Sequence, residues 1–266
     1  MDQLAYLFLL LQSSTFQLTP PPTHNIATSA ELISETENKI TFSETEPILQ
    51  SLAIFEDSIQ SLYDKIKLSE YDLSYQVFRY AMTGYYSLRQ AGKLNDKQII
   101  SIIDFTKSSA KKRFYTIDLS RLAVKFHTLV SHGKNTGEDA AKSFSNILHS
   151  NQSSLGFYVT GETYVGSKGY SLKLDGIESG YNDKMRERAV VMHNAEYVSE
   201  SWVKKYGRLG RSQGCPALPV EIGKKVIDVV KNKTVIFAYY NDETYLQTSS
   251  YLDLTKLFPE LTASAR

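Results

Sequence analysis

Cysteine is almost absent from this chain: one residue, Cys215, in 266. A single thiol excludes an internal disulfide framework and the cysteine pairs of structural zinc sites. An excess of charge of one sign is also missing. Thirty Lys and Arg against 29 Asp and Glu leave a formal net charge of +1, which excludes a protein built mainly to coat nucleic acid. Long hydrophobic runs are lacking too. "LAYLFLLL" at 4–11 is too short to span a bilayer as a helix. Its length suits the core of a signal peptide. However, Asp2 precedes it and the first basic residue is Lys39, so the usual positive flank is missing. The expectation is an atypical signal peptide; the competing reading is an apolar stub in a tail. The five histidines are scattered, so no metal-ligand spacing is present, and no glycine-rich phosphate loop follows a strand.

What remains is an ordinary globular composition, 42% hydrophobic and 12% aromatic with 18 tyrosines. Residues 1–46 are expected to be a signal peptide followed by a linker, because 12–46 are rich in Ser, Thr, Pro and Glu. Across 47–97 apolar residues recur every three to four positions. Leu49, Leu52, Ile59, Leu62 and Ile66 mark one helix, and Leu73, Val77, Ala81, Tyr85 and Leu88 a second. Gly92 is placed to end the second helix, and Asp96 to cap a short turn after it.

From Gln98 the pattern changes to strands. "IISIIDF" at 99–105 is β-branched; 113–119 and 122–130 alternate about a turn near Ser120; 155–166 and 170–177 add two more. "RAVVMHN" at 188–194 reads as a buried strand ending at a histidine, 219–232 as a helix with Pro219 near its start, and 234–240 as a last strand. The fold class expected is mainly β (α+β). A catalytic domain at 98–241 has one helix after the cysteine, a small helical segment precedes it, and a tail runs from 242 to 266.

Chemistry concentrates in "GRLGRSQGCPALP" at 207–219. A nucleophilic cysteine needs a favoured thiolate, an adjacent base and donors for an oxyanion. Arg208 and Arg211 are candidates for the first. Gly214 permits a tight turn and close substrate approach. The N–H of Cys215, with that of Gly214 or Gln213, is a candidate oxyanion donor, whereas Pro216 has none. His193, at a strand end, is the candidate base, and the Asn194 carbonyl is placed to hold its tautomer. The blander readings are a buried cysteine and a rim histidine, and spacing alone does not show that the two meet. His132 reads as a loop residue opening the turn at Gly133, with a second active-site polar group as the alternative. His127 reads as structural, and 180–188, "GYNDKMRER", as a solvated mixed-charge face.

"MHNAEYVSESWVKKYGRLGRSQGCPALP" resembles the signature of the YkuD-like L,D-transpeptidases, with His193 and "SQGC" at 212–215 as the matching elements. Upstream, "LVSHGKNTGED" and "SSLGFYVTGETYVG" are similar to the murein L,D-transpeptidase catalytic-domain family. The resemblance covers about 98–241 and implies a YkuD-like β-sandwich. It implies that Cys215 is the nucleophile, His193 the base, Asn194 its carbonyl partner, and Gly214 part of the oxyanion loop. Ser212, Gln213, Arg211, Arg208, Ser154, Gly156 and Tyr158 are the expected substrate contacts. The implied partner is a peptidoglycan stem peptide, with no cofactor, and the implied location is the cell envelope, periplasmic or secreted. The implied reaction is cross-linking through a thioester with loss of D-Ala. The alternatives are L,D-carboxypeptidase or murein-link hydrolysis on the same fold, and a non-catalytic murein-binding module. Two departures stand out. The family's arginine after the cysteine is replaced by "PA", leaving Arg211 or Arg208 to substitute, and the gap from His193 to Cys215 is long, as if 197–207 were inserted.

Overall fold

Among the described residues, eight strands form one hydrogen-bonded sheet, in the order 123–128, 114–118, 99–104, 235–239, 156–166, 169–176, 191–194 and 217–218. The computed structural model describes residues 42–258; the expected signal peptide and most of the linker lie outside the described residues. In chain order the elements are α1 (Phe42–Ile66), a short 3-10 turn, α2 (Tyr75–Gln90), β1 (Ile99–Asp104), β2 (Phe114–Asp118) and β3 (Ala123–Thr128). They continue with β4 (Gly156–Gly166), β5 (Gly169–Gly176), β6 (Val191–Asn194), α3 (Glu200–Tyr206), β7 (Ala217–Leu218), α4 (Val220–Val230) and β8 (Val235–Tyr239). Two short helices, α5 (Glu243–Thr248) and α6 (Leu254–Leu257), complete them. The architecture is thus mainly β with a few helices, and the expected helix after Cys215 is α4. No helix among the described residues is long and apolar enough to cross a membrane.

Period-2 alternation explains why the central strands carry two cores. Along β8, Val235, Phe237 and Tyr239 face one cluster while Ile236 and Ala238 face another. The first cluster joins these strands to Phe55 and Ile59 of α1, Phe78 and Met82 of α2, and Tyr245 and Leu257 of the C-terminal helices. The helical lead-in and the C-terminal segment therefore share a core with the sheet. Their attachment is close: a Cβ on Gly84 of α2 would lie 2.0 Å from the Phe157 ring of β4. The second cluster gathers Phe114 of β2, Tyr158 of β4, Leu172 and Leu174 of β5, Met192 of β6 and Val226, Ile227 and Val230 of α4. This cluster is the floor beneath the site.

Two local expectations change. Gly92 does follow α2 at φ +65, as a left-handed helix terminator should. Asp96, however, caps no helix; Asn95 Oδ1 instead accepts the Lys97 N–H at 2.9 Å, and the chain runs straight into β1. The strand expected at 188–194 begins only at Val191. Ala189 is left-handed at φ +52 and the Arg188 N–H bonds Lys184 O, so a helix-like turn displaces 188–190 from the sheet.

Candidate active site

β6 and β7 are short for identifiable reasons, and both bear on the site. Pro216 and Pro219 bracket Ala217–Leu218, and proline cannot donate to a ladder. β7 therefore pairs with β6 through only two positions, His193↔Ala217 and Asn194↔Leu218, in parallel. Pro219 then starts α4 with φ −58, close to its locked value. Two residues before β7, Cys215 lies beside β6, and the Val191 N–H points at its Sγ at 3.4 Å. Val191 and His193 are two apart on that strand, so both side chains project to one side. Cys215 and His193 line the same cleft of ≈530 Å³.

The cysteine loop is braced from behind. Ser212 N donates to His132 O and Lys134 N to Ser212 O, which continues strand-like pairing onto residues 131–134. Gly214 adopts φ +123, a conformation that only glycine takes easily. Its N–H donates to Ser212 Oγ at 3.1 Å, and its carbonyl accepts from Ser153 Oγ at 3.2 Å. Ser212 Oγ in turn donates to Cys215 O at 2.6 Å. The Gly214 N–H is thereby occupied, which narrows the candidate oxyanion donors to Gln213 and Cys215.

His193 is 3% exposed, and its Nδ1 lies 2.9 Å from the Asn194 carbonyl. A carbonyl only accepts, so this bond places a proton on Nδ1 and leaves Nε2 as the free lone pair. Burial pushes the His193 pKa down; the Asn194 bond opposes this, and Lys168 adds to it. Burial also pushes the Cys215 thiol up, against the pull of the Val191 N–H and the cations of Arg188 and Lys168. The expected lowered thiol is thus corrected. Desolvation disfavours both charged forms, thiolate and imidazolium. The sign for a rate profile follows. Imidazolium is disfavoured, so the free base persists to lower pH than in an exposed histidine. Acylation of Cys215 by an activated ester, measured as initial rate from pH 5 to 8, should show its acid limb below pH 6.5, the ordinary value. A limb at or above that value would show that His193 is not the base.

The expected substrate contacts are scattered. Ser212, Gln213 and Arg211 line the cleft. Arg208 does not, and neither arginine serves as a free cation. Arg208 Nη2 lies 3.1 Å and Arg211 Nη1 2.6 Å from the same carboxylate, Glu138. Arg211 also bonds the Lys134 and Gly137 carbonyls. Their charge is compensated, which corrects the idea that they favour the thiolate. Ser154, Gly156 and Tyr158 do not line the cleft. Ser154 is buried and accepts from Arg188, and Tyr158 is a core ring whose OH donates to Ser154 O. Gly156, at φ +99, is pressed against Glu178 and Asn182.

His132 is neither an open loop residue nor a cleft group. It is 1% exposed, with Nδ1 2.7 Å from Nη2 of the fully buried Arg113 and Nε2 3.2 Å from Gly137 O. Burial and the Arg113 charge hold it down to about 4, so it is a neutral brace for the strand beside the cysteine loop. His127 is structural, stacked on Tyr115 with centroids 4.6 Å apart. The segment 197–207 contains a helix capped by Ser199 and closed by Gly207 at φ +73. It places Tyr197 in the cleft wall. Sequence reasoning missed Arg188 and Lys168. The one available signal was a basic residue just before the strand that carries His193.

The L,D-transpeptidase catalytic-domain family matches residues 69–239, more than half of the chain. The chain belongs to that family. Among solved structures it is similar to an L,D-transpeptidase from Mycobacterium smegmatis, at 12% identity and a TM-score of 0.34, covering 54% of this chain and 59% of that one. It is similar also to the helical cell shape determining protein Pgp2 from Campylobacter jejuni, at 14% identity and 0.37, covering 60% and 57%. A third is an L,D-transpeptidase from Stackebrandtia nassauensis, at 13% and 0.33, covering 85% and 99%. The match spans about three fifths of the first of these structures. No curated protein gives a significant match.

Proposed function

We propose that the chain is a cysteine-dependent peptidoglycan L,D-transpeptidase of the cell envelope, periplasmic or secreted. The observation that carries this reading is the meeting of Cys215 and His193 in one cleft, with the His193 Nδ1 proton directed to the Asn194 carbonyl. His193 Nε2 takes the thiol proton as Sγ attacks the carbonyl of the third residue of a tetrapeptide stem. Charge developing on that oxygen meets the N–H groups of Cys215 and Gln213. The C–N bond to terminal D-Ala breaks, His193 returns the proton to the leaving amine, and a thioester remains on Cys215. An amine of a second stem then attacks the thioester, forming the cross-link amide and releasing the thiol. Water in place of that amine gives L,D-carboxypeptidase or murein-link hydrolysis. A pocket that only binds murein would form no thioester.

Incubation with a purified tetrapeptide muropeptide, followed by intact mass and product chromatography, tests the reading. The expected result is an acyl adduct short of one D-Ala on Cys215 and a cross-linked dimer. Tripeptide alone would assign the hydrolytic alternative. Absence of both adduct and product would overturn the enzymatic reading.

A further inference from the structure

Arg188 ends a mixed-charge segment that reads from sequence as solvated face, yet its side chain is half-buried and lines the cleft with Cys215. Its guanidinium is fixed on four sides. Nη1 donates to Ser145 O at 2.7 Å and Ser154 Oγ at 2.6 Å; Nη2 donates to Gln152 O at 2.6 Å and Ser150 Oγ at 3.2 Å. It also passes close behind the cysteine loop, because a Cβ on Gly214 would lie 3.4 Å from Nη2.

All four acceptors are neutral. Five arginines elsewhere in the fold pair with carboxylates: Arg79 with Glu56, Arg121 with Asp118, Arg186 with Glu162 and Asp175, and Arg208 and Arg211 with Glu138. The fully buried Arg113, like Arg188, is held by neutral acceptors, but it does not line the cleft. Arg188 is therefore held rigidly while its charge is left uncompensated. A desolvated cation without a counter-ion is unfavourable until an anion forms beside it. The group in this cleft that becomes an anion during thiol chemistry is Cys215.

We propose that Arg188 is the preorganised cation that favours the Cys215 thiolate, the role that the residues flanking the cysteine in sequence do not fill. The proposal rests on the reading of Cys215 as nucleophile. Arg188 acts through the sulfur, so it is a positioning residue rather than a substrate contact, and its four bound N–H groups leave little to offer a ligand. The other charged and titratable groups facing Cys215 are accounted for by element. Lys168 sits exposed at the β4–β5 turn, where solvent screens it. His193 on β6 carries no net charge at rest. Glu187 and His149 are exposed, Tyr164 and Tyr197 contribute phenol rings to the lining, and Arg211 is paired with Glu138.

The test is the pH dependence of Cys215 alkylation by iodoacetamide in the full chain, with a thermal melt for each variant. Arg188→Gln should raise the midpoint by about one unit, a roughly tenfold smaller thiolate fraction at fixed pH below it. Arg188→Lys keeps the charge while losing most of the hydrogen bonds, and should stay within about threefold of wild type. If Gln and Lys shift the midpoint alike, or neither shifts it, the charge is not the cause and the proposal fails. Should Arg188→Gln not fold, Ser150→Asp supplies a carboxylate to the same guanidinium and should raise the midpoint, with Ser150→Asn as the neutral control. An unchanged midpoint in Ser150→Asp would overturn the proposal. No stem peptide enters this titration, so its outcome is separable from that of the proposed transpeptidation.

Discussion

Replacing Cys215 with alanine is expected to abolish the acyl adduct and to lower D-Ala release from a tetrapeptide stem by at least about 10³-fold, to the level of the uncatalysed mixture. Serine at that position should do no better. Its hydroxyl is a far weaker acid than a thiol, so the neutral imidazole of His193 would deprotonate it far less readily. His193→Ala should cost on the order of 10²–10⁴-fold, because a buried thiol that desolvation pushes up loses the buried imidazole of its cleft, and the other histidine of the lining, His149, is exposed. The two residues act in one step, so the double variant should be scarcely worse than either alone. Single-turnover mass spectrometry of the acyl adduct measures all three. Persistence of adduct in Cys215→Ala, or multiplicative losses in the double variant, would sink the thiol–imidazole mechanism.

Glu178→Ala is expected to destabilise the fold by about 3–5 kcal/mol and to lower Tm by roughly 10 °C. This carboxylate is 5% exposed, and burial pushes its pKa up. It survives there because donors from separate parts of the chain converge on it. The Phe157 N–H reaches Oε2 at 2.6 Å and the Tyr245 OH reaches the same oxygen at 3.0 Å, while the Ser249 hydroxyl bonds Oε1. Removing the carboxylate strands these donors at the junction of β4 and α5, each with a desolvation cost of its own. The loss should appear as one cooperative transition, since the C-terminal helices share the core of α1, α2 and the central strands. Glu178→Gln keeps the volume but turns an N–H group toward donors, so it should recover only part of the loss. A melt within 1 kcal/mol of wild type in Glu178→Ala would refute this account.

The large elements were legible from residue periodicity. Helices at Phe42–Ile66 and Tyr75–Gln90, the hairpin of β2 and β3, the strand ending at His193 and the helix after Pro219 all follow from which side chains must be buried. Cys215 stood out as chemistry, because a lone thiol among glycines and prolines is poorly suited to a core; its pairing with His193 came from the family resemblance, since spacing alone does not show that two residues meet. The C-terminal segment was not: α5 and α6 are too short to carry a period, and they are helical because Tyr245, Leu257 and Phe258 dock into a core assembled elsewhere.

The electrostatics of the cleft depended on tertiary structure entirely. Arg208 and Arg211 stand nearest the cysteine in sequence, yet Glu138, more than sixty residues before them, compensates both. Arg188 lies 27 residues before Cys215, and a left-handed Ala189 and a loop of neutral acceptors set its guanidinium against the cysteine loop. By itself, the sequence determined the main elements and the candidate groups they present, since both follow from residue type and local period. Tertiary structure decided which charges are compensated and which lie beside the thiol. Coulomb interaction depends on distance, burial and counter-ions, and sequence separation sets none of the three.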